Sequence, residues 1–172
     1  MSDPKKLFQP EAAKELVLGW LIHAHKGRDR HDTAARRFEG RRYVFGVPTI
    51  LLSAVVGTSV FSSMEKSGLI PVVVVGLLSV TASVFAALQT FLDYAGRAAR
   101  HRVVGAKYKG IIRDMERVLA SGSIDPAWFD DIRGRLDALE EDAPVVAPHI
   151  YDAIEKRYAT VAFVKQAIEL YK

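Results

Sequence analysis

The stretch GLIPVVVVGLLSVTASVFAALQTF, residues 68–91, contains no charged side chain and decides the fold. It belongs to an uncharged block of 25 residues, 68–92, and another uncharged block of 22 residues, 43–64, precedes it. Only residues 65–67 separate the two blocks. A helix needs about 20 apolar residues to cross the roughly 30 Å hydrocarbon core of a bilayer. Each block is therefore long enough to span a membrane.

Neither block shows the pattern of a helix or strand in a soluble core. A water-facing helix carries polar residues at every third or fourth position, and a buried strand normally ends after about 4 to 8 residues. The polar residues in the blocks are Ser, Thr and one Gln, which bond within a helix or to a neighbouring helix. Pro48 and Pro71 fall in the first turns of their blocks, where a missing N–H is tolerated. The blocks predict a transmembrane hairpin.

Basic residues gather on one side of the predicted hairpin. Residues 26–42 carry seven Lys or Arg, the segment just after the second block adds five, and the connecting turn has one. Lys and Arg near membrane ends stay in the cytoplasm. We therefore expect a multi-pass protein of the inner (plasma) membrane with both termini cytoplasmic. The basic residues expected at the membrane interface are Arg36, Arg37, Arg41, Arg42, Arg97 and Arg100.

The lipid bilayer is the partner that this basic segment indicates. A basic run of this kind also occurs in nucleic-acid-binding proteins. Beside a membrane span, however, attraction to anionic lipid is the simpler explanation. We therefore expect no direct binding of nucleic acid.

The rest of the chain predicts amphipathic helices outside the membrane. Breaks are expected at ASGSIDP, residues 120–126, and at DAPVVAP, residues 142–148. Asp125 followed by Pro126 is the signal of an N-cap and a first helical position. The predicted fold class is an all-α membrane protein, a two-transmembrane helical hairpin with a cytoplasmic helical bundle. The predicted organisation is one domain over 1–172, with an N-terminal cytoplasmic helix at 10–42, transmembrane helices at 43–64 and 68–94, and a cytoplasmic helical region at 95–172.

The sequence shows no constellation of catalytic or metal-binding residues. Cysteine is absent, which excludes disulfides, thiol nucleophiles and Cys-ligated zinc. His23 and His25 are two positions apart and diverge on a helix, and His31 and His101 are isolated. The acidic run at 140–142 lies at a helix end, as solvated charges do. No phosphate-binding loop and no nucleophile-elbow motif occurs. We expect no enzymatic activity, no cofactor and no metal.

Small residues recur every four positions along both blocks, and such ridges let membrane helices approach closely. Two helices alone bury little surface, so we expect several copies to form a homo-oligomer. Gln89 is the most polar residue in either block. It is a candidate for a pore constriction or for an interhelical hydrogen bond. The candidates for helix packing or pore lining are Thr49, Ser53, Gly57, Ser79, Ser83, Ala87 and Gln89.

Two cytoplasmic stretches carry a resemblance to a known family. The first follows an aromatic-rich exit from the second block and contains His101, Ala106, Tyr108, Ile111, Arg113 and Asp114. The second contains Glu141, Ala143, Pro144, Pro148, Ile150 and Tyr151. Together with the two-span layout, these stretches resemble the SLATT domain family, a bacterial two-transmembrane effector domain of nucleotide-signalling and reverse-transcriptase defence systems. The resemblance covers about residues 14–165.

The resemblance implies a pore-forming or membrane-permeabilising effector of antiphage defence that acts by abortive infection. Its trigger would be a cytoplasmic partner or a nucleotide signal, and its implied partner a nucleotidyltransferase or a reverse transcriptase. The family offers no catalytic residues to carry over. The residues themselves leave an alternative open, in which the chain is a passive membrane anchor or scaffold that tethers a cytoplasmic partner protein.

Overall fold

The computed structural model of this chain describes residues 12–63, 69–122 and 124–159. Of these residues 92% are helical and none lies in a strand, which confirms the predicted all-α class for this part of the chain. The helices are α1 (Ala13–Ser63), α2 (Leu69–Leu92), α3 (Tyr94–Ser121), α4 (Pro126–Glu141) and α5 (Pro148–Ala159).

The first helix, α1, is one continuous helix of 51 residues. The N-terminal helix therefore runs without interruption into the first apolar block. Pro48 lies inside this helix and not in a first turn, which corrects the prediction from the sequence. Proline has no N–H to donate, so the carbonyl four residues earlier loses its helical partner. Pro71, by contrast, is the third residue of α2, as the sequence predicts.

The second helix, α2, ends at Leu92, two residues before the end predicted for the second transmembrane helix. Asp93 has a φ of 41°, in the left-handed region that Asp tolerates better than most residues. Its carboxylate Oδ1 accepts a hydrogen bond of 3.0 Å from the Gly96 backbone N–H and so caps α3. A Cβ at Gly96 would overlap this carboxylate. Glycine at 96 therefore permits the cap that starts α3.

The chain divides into two compact units. Met1–Ala34 together with Arg100–Lys172 form one, here called the bundle unit, and Ala35–Ala99 form the other, the hairpin unit. In the hairpin unit α1 contacts α2, since the rings of Phe45 and Phe85 lie 6.3 Å apart.

The bundle unit has a hydrophobic core that α1, α3 and α4 build together. Val17, Met115 and Ile132, one from each of these helices, are completely buried. Trp20 and Trp128, the only tryptophans of the chain, pack against this core. Tryptophan fluorescence therefore reports on the folding of the bundle unit alone.

The two breaks predicted after the second apolar block are confirmed. Asp125 is the N-cap of α4, and its side chain accepts a hydrogen bond of 3.0 Å from the Ala127 N–H. Pro126 takes the first helical position, where no N–H is needed. Residues 142–147 separate α4 from α5, which begins at Pro148. A smaller core lies between α5 and α1, in which Ala34, Ile150, Ile154 and Tyr158 are buried and Ile154 is 1% exposed.

Candidate functional site

The hairpin unit exposes a large apolar surface. Two helices in the described part of the chain are long and apolar enough to cross a membrane, and their apolar stretches are not buried within the chain. Contiguous apolar surface of this extent marks a contact with lipid or with another protein. The exposed side chains are Val44, Val47, Ile50, Leu51, Val55, Val72, Val73, Val74, Leu77, Val80, Val84, Leu88 and Phe91.

Some hydroxyl groups of the small-residue ridges form hydrogen bonds within their own helices. The ridge hydroxyls that donate to a backbone carbonyl four residues earlier, at 2.7 to 2.9 Å, are those of Thr49, Ser79 and Ser83. The exposed ridge positions are Ser53, Gly57, Ser83 and Ala87. A Cβ at Gly57 would meet nothing within 4 Å. Along the ridges the chain therefore leaves space for another helix to approach.

Gln89 lies against α1 within the hairpin unit. A Cβ placed on Gly46 would be 3.3 Å from Gln89 Nε2, so the amide occupies the space that the missing side chain leaves. Gln89 is half-buried and Gly46 is buried. The structure thus places Gln89 in the packing between the two hairpin helices. The sequence offered no signal that pairs Gly46 with it, because the two residues lie on different helices.

Four aromatic rings form an aromatic ladder at one end of the hairpin unit. Tyr94 stacks between Phe38 and Phe45, with ring centroids 6.3 and 5.7 Å away, and Phe45 also contacts Phe85. The rings come from α1, α2 and α3. Stacked aromatic pairs add about 0.5–1.5 kcal/mol beyond the burial of their area. The aromatic ladder therefore joins the three helices where the apolar blocks meet the basic segments.

Three arginines lie near aromatic rings at this end of the hairpin unit, two of them at Phe38 of the aromatic ladder. The guanidinium carbons of Arg41 and Arg97 lie 6.0 and 5.9 Å from the centroid of Phe38, and that of Arg42 lies 6.0 Å from the ring of Tyr43. Within the described ranges no carboxylate forms an ion pair with these three guanidiniums. The other predicted interface residues, Arg36, Arg37 and Arg100, are engaged with further groups of the chain.

The bundle unit contains a polar recess of about 240 Å³. His23 Nε2 lies 2.6 Å from Glu140 Oε1, and the Tyr108 hydroxyl donates to the same oxygen at 3.5 Å. Burial and the neighbouring Glu140 raise the pKa of Tyr108 to about 12. Glu140 is therefore engaged by two side chains, while residues 140–142 are all exposed to solvent, as the sequence predicts.

Arg30 is a nearly buried cation that also lines the recess. Its side chain is 11% exposed, and its Nη2 donates to Glu155, which also accepts a 2.8 Å hydrogen bond from Lys26 Nζ. Burial would raise the pKa of Glu155, but the bonds from Lys26 and Arg30 outweigh it and lower that pKa. The Arg30 guanidinium carbon lies 3.7 Å from the ring centroid of Tyr151. This network ties α1 to α5.

His31 and His101 form a buried pair. Their exposed fractions are 6% and 3%, and their Nδ1 atoms lie 2.9 Å apart. In such a contact one Nδ1 carries a hydrogen and the other accepts it, so the pair accommodates at most one imidazolium. The sequence suggested that both histidines are isolated. The packing of α1 on α3 overturns that expectation by joining residues 70 positions apart.

Burial disfavours protonation of this histidine pair. Burial lowers the pKa of His31 to about 4, with smaller contributions from His101 and Arg30, while Asp32 acts in the opposite direction. Burial also lowers the pKa of His101, and the charge of Arg100 adds to the effect. Both imidazoles are therefore neutral at pH 7 in the folded chain.

The bundle unit is expected to lose stability as the pH falls from 7.5 to 5. Between the unfolded pKa near 6.5 and the lowered folded pKa, the unfolded chain binds more protons, so the free energy of unfolding decreases on acidification. We expect a loss of about 2 kcal/mol. The measurement is urea unfolding of the full chain in detergent, followed by tryptophan fluorescence.

The matched variants for this prediction are His31→Gln and His149→Gln. His31→Gln removes the buried titrating group, so its stability should lose less than half as much over the same pH range. His149→Gln removes an exposed histidine and should keep the dependence of the native chain. A native chain whose unfolding free energy is the same at pH 7.5 and 5 would contradict the assignment.

Residues 12–63, 69–122 and 124–159 contain no group of three or more His, Asp or Glu side chains that could hold a metal ion. No protein-family model matches this chain, and no curated protein or solved structure matches it either. The resemblance to the SLATT domain therefore stays a prediction from the sequence.

Proposed function

We propose that this chain is an oligomeric bacterial membrane effector that forms a pore or otherwise permeabilises the membrane in antiphage defence. The observation that carries the proposal is the uncovered apolar surface on two helices long enough to span a bilayer. Leaving that surface in water is unfavourable by about 25 cal/mol per Å². Insertion into lipid removes this cost without any partner protein.

The proposed location is the inner membrane, with the bundle unit and both termini in the cytoplasm. Support comes from the basic residues next to both apolar blocks and from the single Lys in the turn. Tyr43 and Tyr94 adjoin the basic ends of the blocks, at the depth where aromatic residues prefer to lie. A cytoplasmic partner or a nucleotide signal would act on the bundle unit, and a nucleotidyltransferase or reverse transcriptase is the partner class that the resemblance implies.

The proposed oligomer rests on the ridges of small residues. Exposed Ser53 and Gly57 in α1, and Ser83 and Ala87 in α2, permit close approach of helices from other copies. Lipid tails are as apolar as leucine, so burial of apolar side chains does not drive helices together in a membrane. Close backbone packing of this kind supplies the driving force for association instead. Several hairpins around an axis would then enclose a conductive path.

One observation favours the alternative, a passive membrane anchor or scaffold for a cytoplasmic partner protein. The hydroxyls of Thr49, Ser79 and Ser83 are bonded to carbonyls of their own helices. Such hydroxyls need no water and no partner helix. An anchor would require only the apolar surface and would tolerate substitutions along the ridges.

Overproduction in a bacterial host tests the effector against the anchor. High concentration drives oligomerisation by mass action, so we expect the native chain to admit a membrane-impermeant dye and stop growth. Ser83→Leu should reduce dye entry about tenfold or more, because loss of close helix packing costs at least about 1.4 kcal/mol. Val84→Leu alters an exposed neighbour off the ridge and should leave dye entry unchanged.

The same experiment identifies the anchor by its opposite result. An anchor predicts unaltered growth and no dye entry for the native chain and for both variants. In vitro, purified chain should release dye from liposomes when its trigger is added. Liposomes that stay intact with the genuine trigger present would refute a pore.

A further inference from the structure

We propose that Arg41 and Arg97 hold the phosphodiester of an anionic phospholipid over the ring of Phe38. The inference rests on the proposed membrane location of the hairpin unit and adds a ligand site to it. The two arginines come from different helices, α1 and α3, and approach the same ring at 6.0 and 5.9 Å. Folding of the hairpin unit therefore brings together two cations that the chain separates by 56 positions.

Two like charges brought near one ring repel each other, and an anion bound between them relieves that repulsion. Within the described residues neither Arg41 nor Arg97 forms an ion pair with a carboxylate, although 20 Asp and Glu occur in the chain. Each guanidinium offers five N–H donors in a planar fork that matches a phosphate oxygen pair. Phe38 is held in place by stacking on Tyr94, so the ring is a firm platform for both arginines. One anionic group shared by the two forks would balance both charges.

The neighbouring surface selects a lipid rather than a free phosphate. Tyr43 and Val44 are 59% and 66% exposed and follow Arg41 in α1, and Phe91, 84% exposed, lies near the end of α2. These side chains present apolar surface at positions close in sequence to the two cations. A phospholipid contacts both the arginine pair and the apolar surface, with its phosphodiester on the arginines and its acyl chains on the apolar side chains. Inorganic phosphate contacts only the arginine pair. Basic sites between membrane helices at the cytoplasmic side bind lipid headgroups in this way.

The test measures which lipid the purified full chain retains. The chain is purified in zwitterionic detergent micelles that contain equal amounts of phosphatidylglycerol and phosphatidylcholine, and the lipids kept after gel filtration are quantified by mass spectrometry. We expect the native chain to enrich phosphatidylglycerol about tenfold. The double variant Arg41→Gln with Arg97→Gln should retain the two lipids in the ratio of the micelles.

Two charge controls separate a built site from diffuse attraction. Arg36→Gln with Arg37→Gln removes the same number of positive charges beside the first apolar block and should stay within about twofold of the native enrichment. Arg41→Lys with Arg97→Lys keeps the charge but loses the fork, and should lose most of the enrichment. If the 36/37 pair loses as much as the 41/97 pair, or if the lysine pair keeps the native value, the site does not exist as proposed.

A third arm distinguishes the lipid from a soluble anion. A large excess of inorganic phosphate should leave phosphatidylglycerol bound, because it cannot replace the acyl contacts. Displacement by phosphate would overturn the lipid assignment. The proposed membrane location is tested separately by alkaline carbonate extraction of bacterial membranes. If carbonate extracts the native chain, the chain is not an integral membrane protein. A chain that resists extraction but shows no lipid enrichment refutes the lipid site alone.

Discussion

An arginine at Val55 or Val80 is expected to prevent the hairpin unit from inserting into a membrane. The two valines lie near the centres of the apolar blocks and are 49% and 63% exposed, so a new charge at either position would face the surroundings of the hairpin unit. A charged residue at the centre of a membrane helix costs about 3 kcal/mol on insertion scales, a factor of more than about 100 in the inserted fraction. We expect Val55→Arg to be the more severe, because the first span is the less apolar of the two.

Membrane association is measured as the fraction of chain that resists alkaline carbonate extraction. Val55→Ala and Val80→Ala shorten the side chain without adding charge and should remain in the membrane. Val145→Arg adds the same charge at a position of the bundle unit that is 93% exposed, and should also remain there. A native chain that is monodisperse in buffer without detergent would contradict the prediction and the proposed function together.

The second large effect is expected from Gly27→Ala in the bundle unit. A Cβ at Gly27 would lie 2.6 Å from Tyr108 Cζ and 2.9 Å from its Cε1. Tyr108 is 3% exposed and cannot turn away, so α1 and α3 must separate. Overpacking of this kind costs about 1–3 kcal/mol, and the ordinary gain of about 1 kcal/mol for replacing a helical glycine offsets part of it, so we expect a net loss of up to about 2 kcal/mol. The measurement is urea unfolding followed by tryptophan fluorescence.

Gly110→Ala is the matched control for Gly27→Ala. Gly110 lies in α3 of the same unit, and a Cβ there would meet nothing within 4 Å. Replacing a helical glycine by alanine then contributes its ordinary gain of about 1 kcal/mol. The same substitution should thus act in opposite directions at the two glycines. Equal stabilisation at both positions would show that Tyr108 does not press on α1.

Pro48 and Asp93 are two positions at which the sequence pattern did not predict where the helices begin and end. Pro48 looked like a helix start, but α1 continues through it. Asp93 carried no break signal, yet α2 stops there because its carboxylate caps the next helix and Gly96 leaves room for it. Both outcomes depend on how the flanking turns are held, and a local propensity is easily overridden by that context.

The sequence by itself determined that the chain is helical, with two helices able to span a membrane. That outcome is local, because an uncharged run of more than 20 residues is a property of consecutive side chains. The breaks near Asp125 and before Pro148 are local for the same reason, since a cap and a proline act within one turn. Packing decided the rest. The contact of His31 with His101, the seat of Gln89 on Gly46 and the two arginines at Phe38 join residues distant in the chain. Such contacts depend on which faces the helices turn toward one another, and that choice is made by the whole set of side chains that must be buried together.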